Sequence, residues 1–310
     1  MPAALAVAPA GRDTDPDALV PPPLRRAVLA WYDTRGRSLP FRASRDPYAI
    51  LVSETMAQQT QIARAAEKWA GFLYAFPTVA ALAAARPADV LRAWQGLGYN
   101  RRAINLRRAA QKLVANHGGR LPEHIDQLER LPGIGPYTAR AVAAIAFGHP
   151  VGAVDTNVRR VLGRVAGGEL PPRALQALAD AVVPEGRAAD WTHAVMDVGA
   201  TFCRSRRPDC AGCPARPWCR YAAGMTATPL ARPARRTSPP TRRFTSTSRW
   251  LRGRILERLR NEPDDGWTTF PGTVGEHDSA AVQRALQALA ADGLLELEAG
   301  DPPRARLPIA

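Results

Sequence analysis

Residues 128–164 read LERLPGIGPYTARAVAAIAFGHPVGAVDTNVRRVLGR, and the fold turns on them. The first half predicts a short helix, a glycine-rich turn (Leu131-Pro132-Gly133-Ile134-Gly135) and a second, apolar helix. The second half brings one acidic residue, Asp155, to the start of a further helix. Glycine lets a backbone come close to a ligand, and the free N–H groups of a helix N-terminus suit an anion. The turn can therefore grip a phosphate while the chain beyond it presents a carboxylate to the same ligand.

Helical patterns surround this stretch. They run from Leu24 to about Thr34, Ala49 to Met56, Ala63 to Phe76, Ala88 to Trp94, Arg101 to Asn116, Asn157 to Val165, Pro172 to Val182 and Ala188 to Phe202. No segment before residue 245 has a strand pattern, so the body reads as all-α. The Ala49–Met56 helix is apolar but carries Glu54, and it runs into Gln58-Gln59-Thr60-Gln61. Burying a charge is costly without a partner or a task. Taken alone, the helix slightly favours the plainer reading, a glutamate on its wet face. Gln95-Gly96-Leu97-Gly98-Tyr99-Asn100 sets two glycines beside an exposed-looking Leu and Tyr. That is a wedge for a base stack, or an ordinary turn with a packed tyrosine, and the turn is the plainer reading.

The chain of 310 residues has 42 Lys+Arg against 28 Asp+Glu, a net charge of +14. Such an excess points to a polyanion, usually nucleic acid, although Lys68 and Lys112 are the only lysines and the arginine enrichment reflects a composition bias too. No apolar run is long enough to span a bilayer, and the start lacks a signal-peptide pattern; a cytoplasmic protein with no membrane partner is expected. Residues 1–22 read as a disordered tail. Four cysteines, Cys203, Cys210, Cys213 and Cys219, fall in one arginine-rich loop. Disulfides are disfavoured in the cytosol, so the spacing indicates a metal centre. One Cys-x2-Cys knuckle flanked by two outlying cysteines fits an iron–sulfur (4Fe-4S) cluster better than zinc, which usually takes paired knuckles. Residues 222–243 form a basic, Pro-rich linker. Residues 244–310 read as helix, helix and hairpin: a small winged-helix-like α/β unit or, nearly as well, a helical packing appendage.

Together these features resemble the helix-hairpin-helix DNA glycosylases with an iron–sulfur cluster, and within them the adenine DNA glycosylase (MutY) family. The resemblance rests on Val52-Ser53-Glu54-Thr55-Met56-Ala57-Gln58-Gln59-Thr60, Gly96-Leu97-Gly98-Tyr99, Leu131-Pro132-Gly133-Ile134-Gly135-Pro136-Tyr137-Thr138-Ala139 and the four-cysteine loop. It covers about Leu24 to Tyr221, and Glu54 with Gln58-Gln59-Thr60 is the discriminating block. It implies two helical regions flanking a cleft: a six-helix barrel over about 42–150, and an iron–sulfur domain from 23–41 plus 151–221. It also implies a 4Fe-4S cluster and a monomer acting on double-stranded DNA that contains mismatched or oxidised bases.

The resemblance further implies a base excision repair enzyme that flips its target out of the stack and hydrolyses the N-glycosidic bond of adenine opposite 8-oxoguanine or guanine. Glu54 would protonate adenine at N7, a task suited to a buried carboxyl that keeps its proton. Asp155 would stabilise the oxocarbenium-like sugar, with Tyr137 and Asn157 in support. Bifunctional relatives carry a nucleophilic lysine where this chain has Tyr137, so a monofunctional enzyme is implied. Gln59, Thr60, Leu97, Tyr99, Gly133 and Gly135 match DNA-contacting positions; Arg37, Phe41 and Asp197 match positions near the base pocket or its water network, more weakly. The chain departs from the family's commoner residues at Phe41, Ala57 and Thr156. Typical members end in a MutT-like domain that helps recognise 8-oxoguanine, and residues 244–310 are too few for one. A thymine or uracil glycosylase for G mismatches is the second reading, and a non-catalytic iron–sulfur DNA-binding protein the third. Glu54 favours adenine, because thymine offers no N7 to protonate.

Overall fold

The computed structural model describes residues 15–225, 243–263 and 266–309. The proposed linker 222–243 therefore lies largely outside the described residues, as do residues 1–14 of the expected tail. The described chain is mainly α-helical and divides into two compact units, one holding the described residues of Met1–Ser38 and Ala143–Ala234, the other those of Leu39–Val142 and Arg235–Ala310. No helix of the described residues is long and apolar enough to cross a membrane.

The first unit contains α1 (Pro16–Leu19), α2 (Pro22–Arg35), α10 (Thr156–Ala166), α11 (Pro172–Ala181) and α12 (Ala188–Thr201). Its core joins Leu24 and Val28 of α2 to Val161 and Leu162 of α10, Leu178 of α11 and Trp191 and Val195 of α12. These side chains recur at helical spacing, so one stripe of each helix faces inward. From Asp15 onward the expected disordered tail is corrected: Asp15 caps α1, and Leu19 and Val20 are buried in this core. Their hydrophobic contribution was hidden by the surrounding prolines.

The second unit contains α3 (Pro47–Ala57), α4 (Ile62–Ala75), α5 (Val79–Ala84), α6 (Pro87–Ala93), α7 (Arg101–His117) and α8 (Ile125–Glu129). Helix α9 (Pro136–Ala146) follows the hairpin turn. Asp46 caps α3 by accepting from the N–H groups of Tyr48 and Ala49. Every residue of α3 from Tyr48 to Met56 is buried. A helix enclosed on all sides has no polar stripe, so its periodicity could not place Glu54. The short α5 was missed because VAALAA holds too few turns to show a period.

The same unit includes the chain's end: α13 (Ser248–Arg260), β1 (Thr268–Thr269), α14 (Ser279–Ala291), β2 (Glu296–Glu298) and β3 (Arg304–Arg306). The expected hairpin is present, with Glu296 opposite Arg306, and β1 adds an unforeseen third strand in the antiparallel order β1-β3-β2. Two residues are too few to read as a strand. This segment is tied to the helical body. Arg260 donates to the Leu91 carbonyl (3.0 Å) and to Asn100 Oδ1 (2.6 Å), and the Ala88 N–H donates to the Pro308 carbonyl (2.9 Å).

Candidate active site and comparison with known proteins

Glu54 is 9% exposed, within the enclosed helix α3. The wet-face reading is thereby set aside. The Tyr137 hydroxyl, from the first turn of α9, donates to its Oε2 at 3.0 Å. One turn later, at the C-cap of α3, Gln58 donates to the Thr138 hydroxyl (3.1 Å). Two successive residues of the hairpin helix therefore fix the acid and the segment that follows it.

The hairpin explains how Tyr137 is placed. Leu131 and Ile134 are buried anchors, and Gly133 turns the chain at φ +78°. A Cβ on Gly133 would stand 2.8 Å from Asn105 Cβ on α7. Glycine is required both by that approach and by its left-handed backbone. Gly133 and Gly135 are exposed.

In the other unit, Asp155 caps α10: its Oδ1 accepts from the Val158 N–H (2.7 Å) and its Oδ2 from Asn157 Nδ2 (2.9 Å). Asn157 Oδ1 in turn accepts from Arg160 (2.7 Å), which also donates to the carbonyls of Gly199 and Cys203. The carboxylate is thus held by a relay that ends on the cysteine loop. Gly199 makes room for it, since a Cβ there would lie 2.6 Å from Asn157 Cβ.

One unit thus holds a buried acid with a hydroxyl partner and a glycine turn, and the other a fixed carboxylate. The HhH-GPD superfamily of base excision DNA repair proteins matches residues 52–185, a span that includes all of them. The adenine DNA glycosylase of Mycolicibacterium smegmatis is 40% identical over 275 residues, covering 87% of this chain and 91% of that protein. The chain belongs to the adenine DNA glycosylase family. The human adenine DNA glycosylase is also 40% identical, over 63% of this chain and 39% of the human protein. At 87% of the chain, about 270 residues, the mycobacterial alignment reaches past residue 243 wherever it starts, whereas the human one need not.

Among solved structures, a thermostable thymine-DNA glycosylase aligns with a TM-score of 0.61 and 29% identity, covering 64% of this chain and 95% of that one. An endonuclease III–DNA complex aligns at 0.56 and 23% identity over 65% of this chain and 94% of that one, a likeness of fold.

The remaining expected positions of this family member fall as follows. Gln59 and Tyr99 are exposed, and both adopt left-handed backbone (φ 53° and 45°). Leu97 is buried, against the exposed reading of its loop; its carbonyl accepts from Thr60 Oγ1 and Arg102. A leucine turned into the core helps anchor the loop from which Tyr99 projects. Asp197 is fully buried, and Arg37 binds it with both its backbone N–H (2.8 Å) and its Nε (2.6 Å). Phe41 packs edge-on against Trp69.

Two arginines were not singled out from sequence. Arg102 binds the end of α3 to the Gly98 loop through carbonyls of both. Arg164 is buried and reaches Cys203 Sγ (3.3 Å) and the Arg204 carbonyl (2.8 Å), while its Nε has no partner among the described residues. An arginine in an arginine-rich chain carries no signal of its own; only its neighbours reveal it.

The four cysteines are free thiols. Burial, with the neighbouring thiols adding to it, pushes Cys213 up to about 11, and burial raises Cys219 as well. Thiols crowded this way give up protons readily only to a cation. The donor set fits an iron–sulfur cluster: four sulfurs, backbone N–H groups of Ala215, Tyr221 and Ala222 aimed at two of them, and the Arg164 guanidinium beside a third.

Proposed function

We propose that this chain is a monofunctional glycosylase that removes adenine mispaired with 8-oxoguanine or guanine from double-stranded DNA, acting as a monomer. The observation that carries the reading is Glu54 itself: a carboxyl buried in an apolar helix, held by the hydroxyl of Tyr137. Adenine is a poor leaving group as an anion. Protonation at N7 lets it depart neutral, and the step needs Glu54 to arrive with a proton. Tyr137 donates to Oε2 and so orients the carboxyl. As the bond breaks, the sugar gains oxocarbenium character, which the Asp155 carboxylate stabilises until water attacks. Asn157 and Arg160 keep that carboxylate oriented.

Strand cleavage through a Schiff base needs an amine. Tyr137 occupies the matching position, and neither Lys68 nor Lys112 lies in the hairpin or on α9. The names of the mycobacterial and human relatives support adenine as the base. The endonuclease III neighbour's complex with DNA supports DNA as the partner. Cys203, Cys210, Cys213 and Cys219 would hold a 4Fe-4S cluster, whose part here is to staple the arginine-rich loop that touches phosphates. Among the described residues no three His, Cys, Asp or Glu groups converge as the ligands of a single ion would. The support for the cluster is the donor chemistry: four cysteines on one loop, with Arg164 beside Cys203, would supply the thiolates it needs.

The test is single-turnover base release on labelled duplexes carrying A opposite 8-oxoguanine, A opposite G, A opposite T, and T or U opposite G, each read with and without alkali. The expected result is alkali-dependent cleavage at A opposite 8-oxoguanine and at A opposite G, with A·T intact. Cleavage only at T or U opposite G would overturn the assignment.

A further inference from the structure

We infer that the C-terminal segment supplies a second wall of the DNA-binding surface, and that Arg249 on α13 contacts the strand opposite the excised base. This rests on the adenine-glycosylase reading and adds to it a surface outside the helical body.

Within the second unit, a groove of about 980 Å³ runs between the Gln95–Arg102 segment and α13. Six arginines line it: Arg101, Arg102, Arg249, Arg252, Arg254 and Arg260. Its acids are Glu257 and Asp292, and each is already engaged, Glu257 by Arg254 and Asp292 by Arg252 and Arg101. The surplus is cationic and suits a phosphodiester backbone.

The floor carries recognition chemistry. Gln59 and Tyr99 both open onto the groove, and they are two of the three non-glycine residues with left-handed backbone among the described residues. Holding such residues in αL costs energy and tends to persist where a side chain must be presented. Amide and aromatic groups beside arginines match the edges and faces of bases.

Arg249 is the distinctive member. It is exposed, its guanidinium lies 4.7 Å from the centre of the Tyr99 ring, and among the described residues it has no hydrogen-bonded or ion-paired partner. Arg102 and Arg260, by contrast, are spent on carbonyls and on Asn100. Arg249 is thus a cation held over an exposed aromatic ring, in contact with nothing anionic.

The strand follows from the reaction. Flipping adenine toward Glu54 leaves a gap in the duplex and an orphaned partner base. Gln59 lies two residues beyond the helix that bears Glu54, so the groove it opens into is where the orphaned base and its strand would lie.

The experiment uses the full chain and a duplex with a non-hydrolysable 2′-fluoro-deoxyadenosine opposite 8-oxoguanine. Arg249→Ala should weaken binding by about tenfold at low salt and reduce the slope of log K against log salt by about one phosphate's worth, ~0.9. Arg249→Lys should restore most of the slope, since it keeps the charge. Arg249→Cys should form a disulfide with a thiol-tethered duplex when the tether flanks 8-oxoguanine and not when it flanks the adenine analogue. Unchanged affinity and slope in Arg249→Ala, or capture on the adenine strand alone, would overturn the inference. Failure of the adenine reading would show separately, as unmodified enzyme that leaves A opposite 8-oxoguanine intact.

Discussion

Removing the Arg102 side chain should loosen the join between the catalytic helix and the Gly98 loop more than any other single truncation on that surface. Its guanidinium faces seven oxygens: the carbonyls of Thr55, Met56, Gln58, Leu97, Gly98 and Tyr99, and Thr60 Oγ1. Five N–H groups are available, so some of these contacts share a proton. At a net ~1 kcal/mol for each donor, the side chain contributes about 5 kcal/mol at most. Arg102 also lines the groove, so in Arg102→Ala water reaches several of the vacated carbonyls and part of that loss is recovered. A destabilisation of about 3 kcal/mol is expected. Arg102→Lys keeps the charge with three donors, and should lose about half as much. Burial draws Arg102 down to about 10, still well above neutrality, so the guanidinium is charged at the assay pH. Urea unfolding followed by tryptophan fluorescence, extrapolated linearly to water, gives both values. Single-turnover base release by the same variants reports whether Tyr99 loses its position. Both variants falling within about 0.5 kcal/mol of the parent would refute the reasoning, because ordinary surface changes fall in that range.

Four further outcomes are expected. Glu54→Gln should abolish base release while duplex affinity is retained; a retained rate would remove Glu54 as the acid. Asp155→Asn should slow base release about 100-fold or more with little change in melting temperature, since asparagine caps a helix as well as aspartate does; Asp155→Ala should also cost about 1 kcal/mol of stability. Gly133→Ala places a side chain at φ +78° against Asn105; the strain, about 1–3 kcal/mol, should lower both the melting temperature and the affinity for duplex, and unchanged values would dismiss the close-approach argument. Purified protein should be brown, with iron and acid-labile sulfide in equal amounts; colourless protein holding stoichiometric zinc would reverse the cluster assignment.

Much of the site was legible from residue order because its parts are local. A glycine turn between two apolar runs, a carboxylate at a helix start and four closely spaced cysteines each fit within a short window, and each implies its chemistry there. The resemblance set Tyr137 beside Asp155 in support; the structure instead gives its hydroxyl to Glu54, a residue far away in the chain, at 3.0 Å. Periodicity failed where its assumption failed. Helix α3 has no wet side, so its apolar pattern could not say which way Glu54 faced. The loop at Leu97 read as an ordinary turn with a packed tyrosine sooner than as a wedge, yet Leu97 is the residue that packs and Tyr99 is exposed.

By itself the sequence determined the helical class, the hairpin, the cysteine loop and the absence of lysine from the hairpin and α9, because these depend on near neighbours and residue type. Only the tertiary structure decided which arginines matter. Arg102, Arg160, Arg164 and Arg249 read alike in a chain rich in arginine, and differ only in what surrounds them: carbonyls, a relay to Asp155, a cysteine sulfur, an exposed ring. A charge acquires its role from its surroundings, and in a folded chain these come mostly from residues distant in sequence.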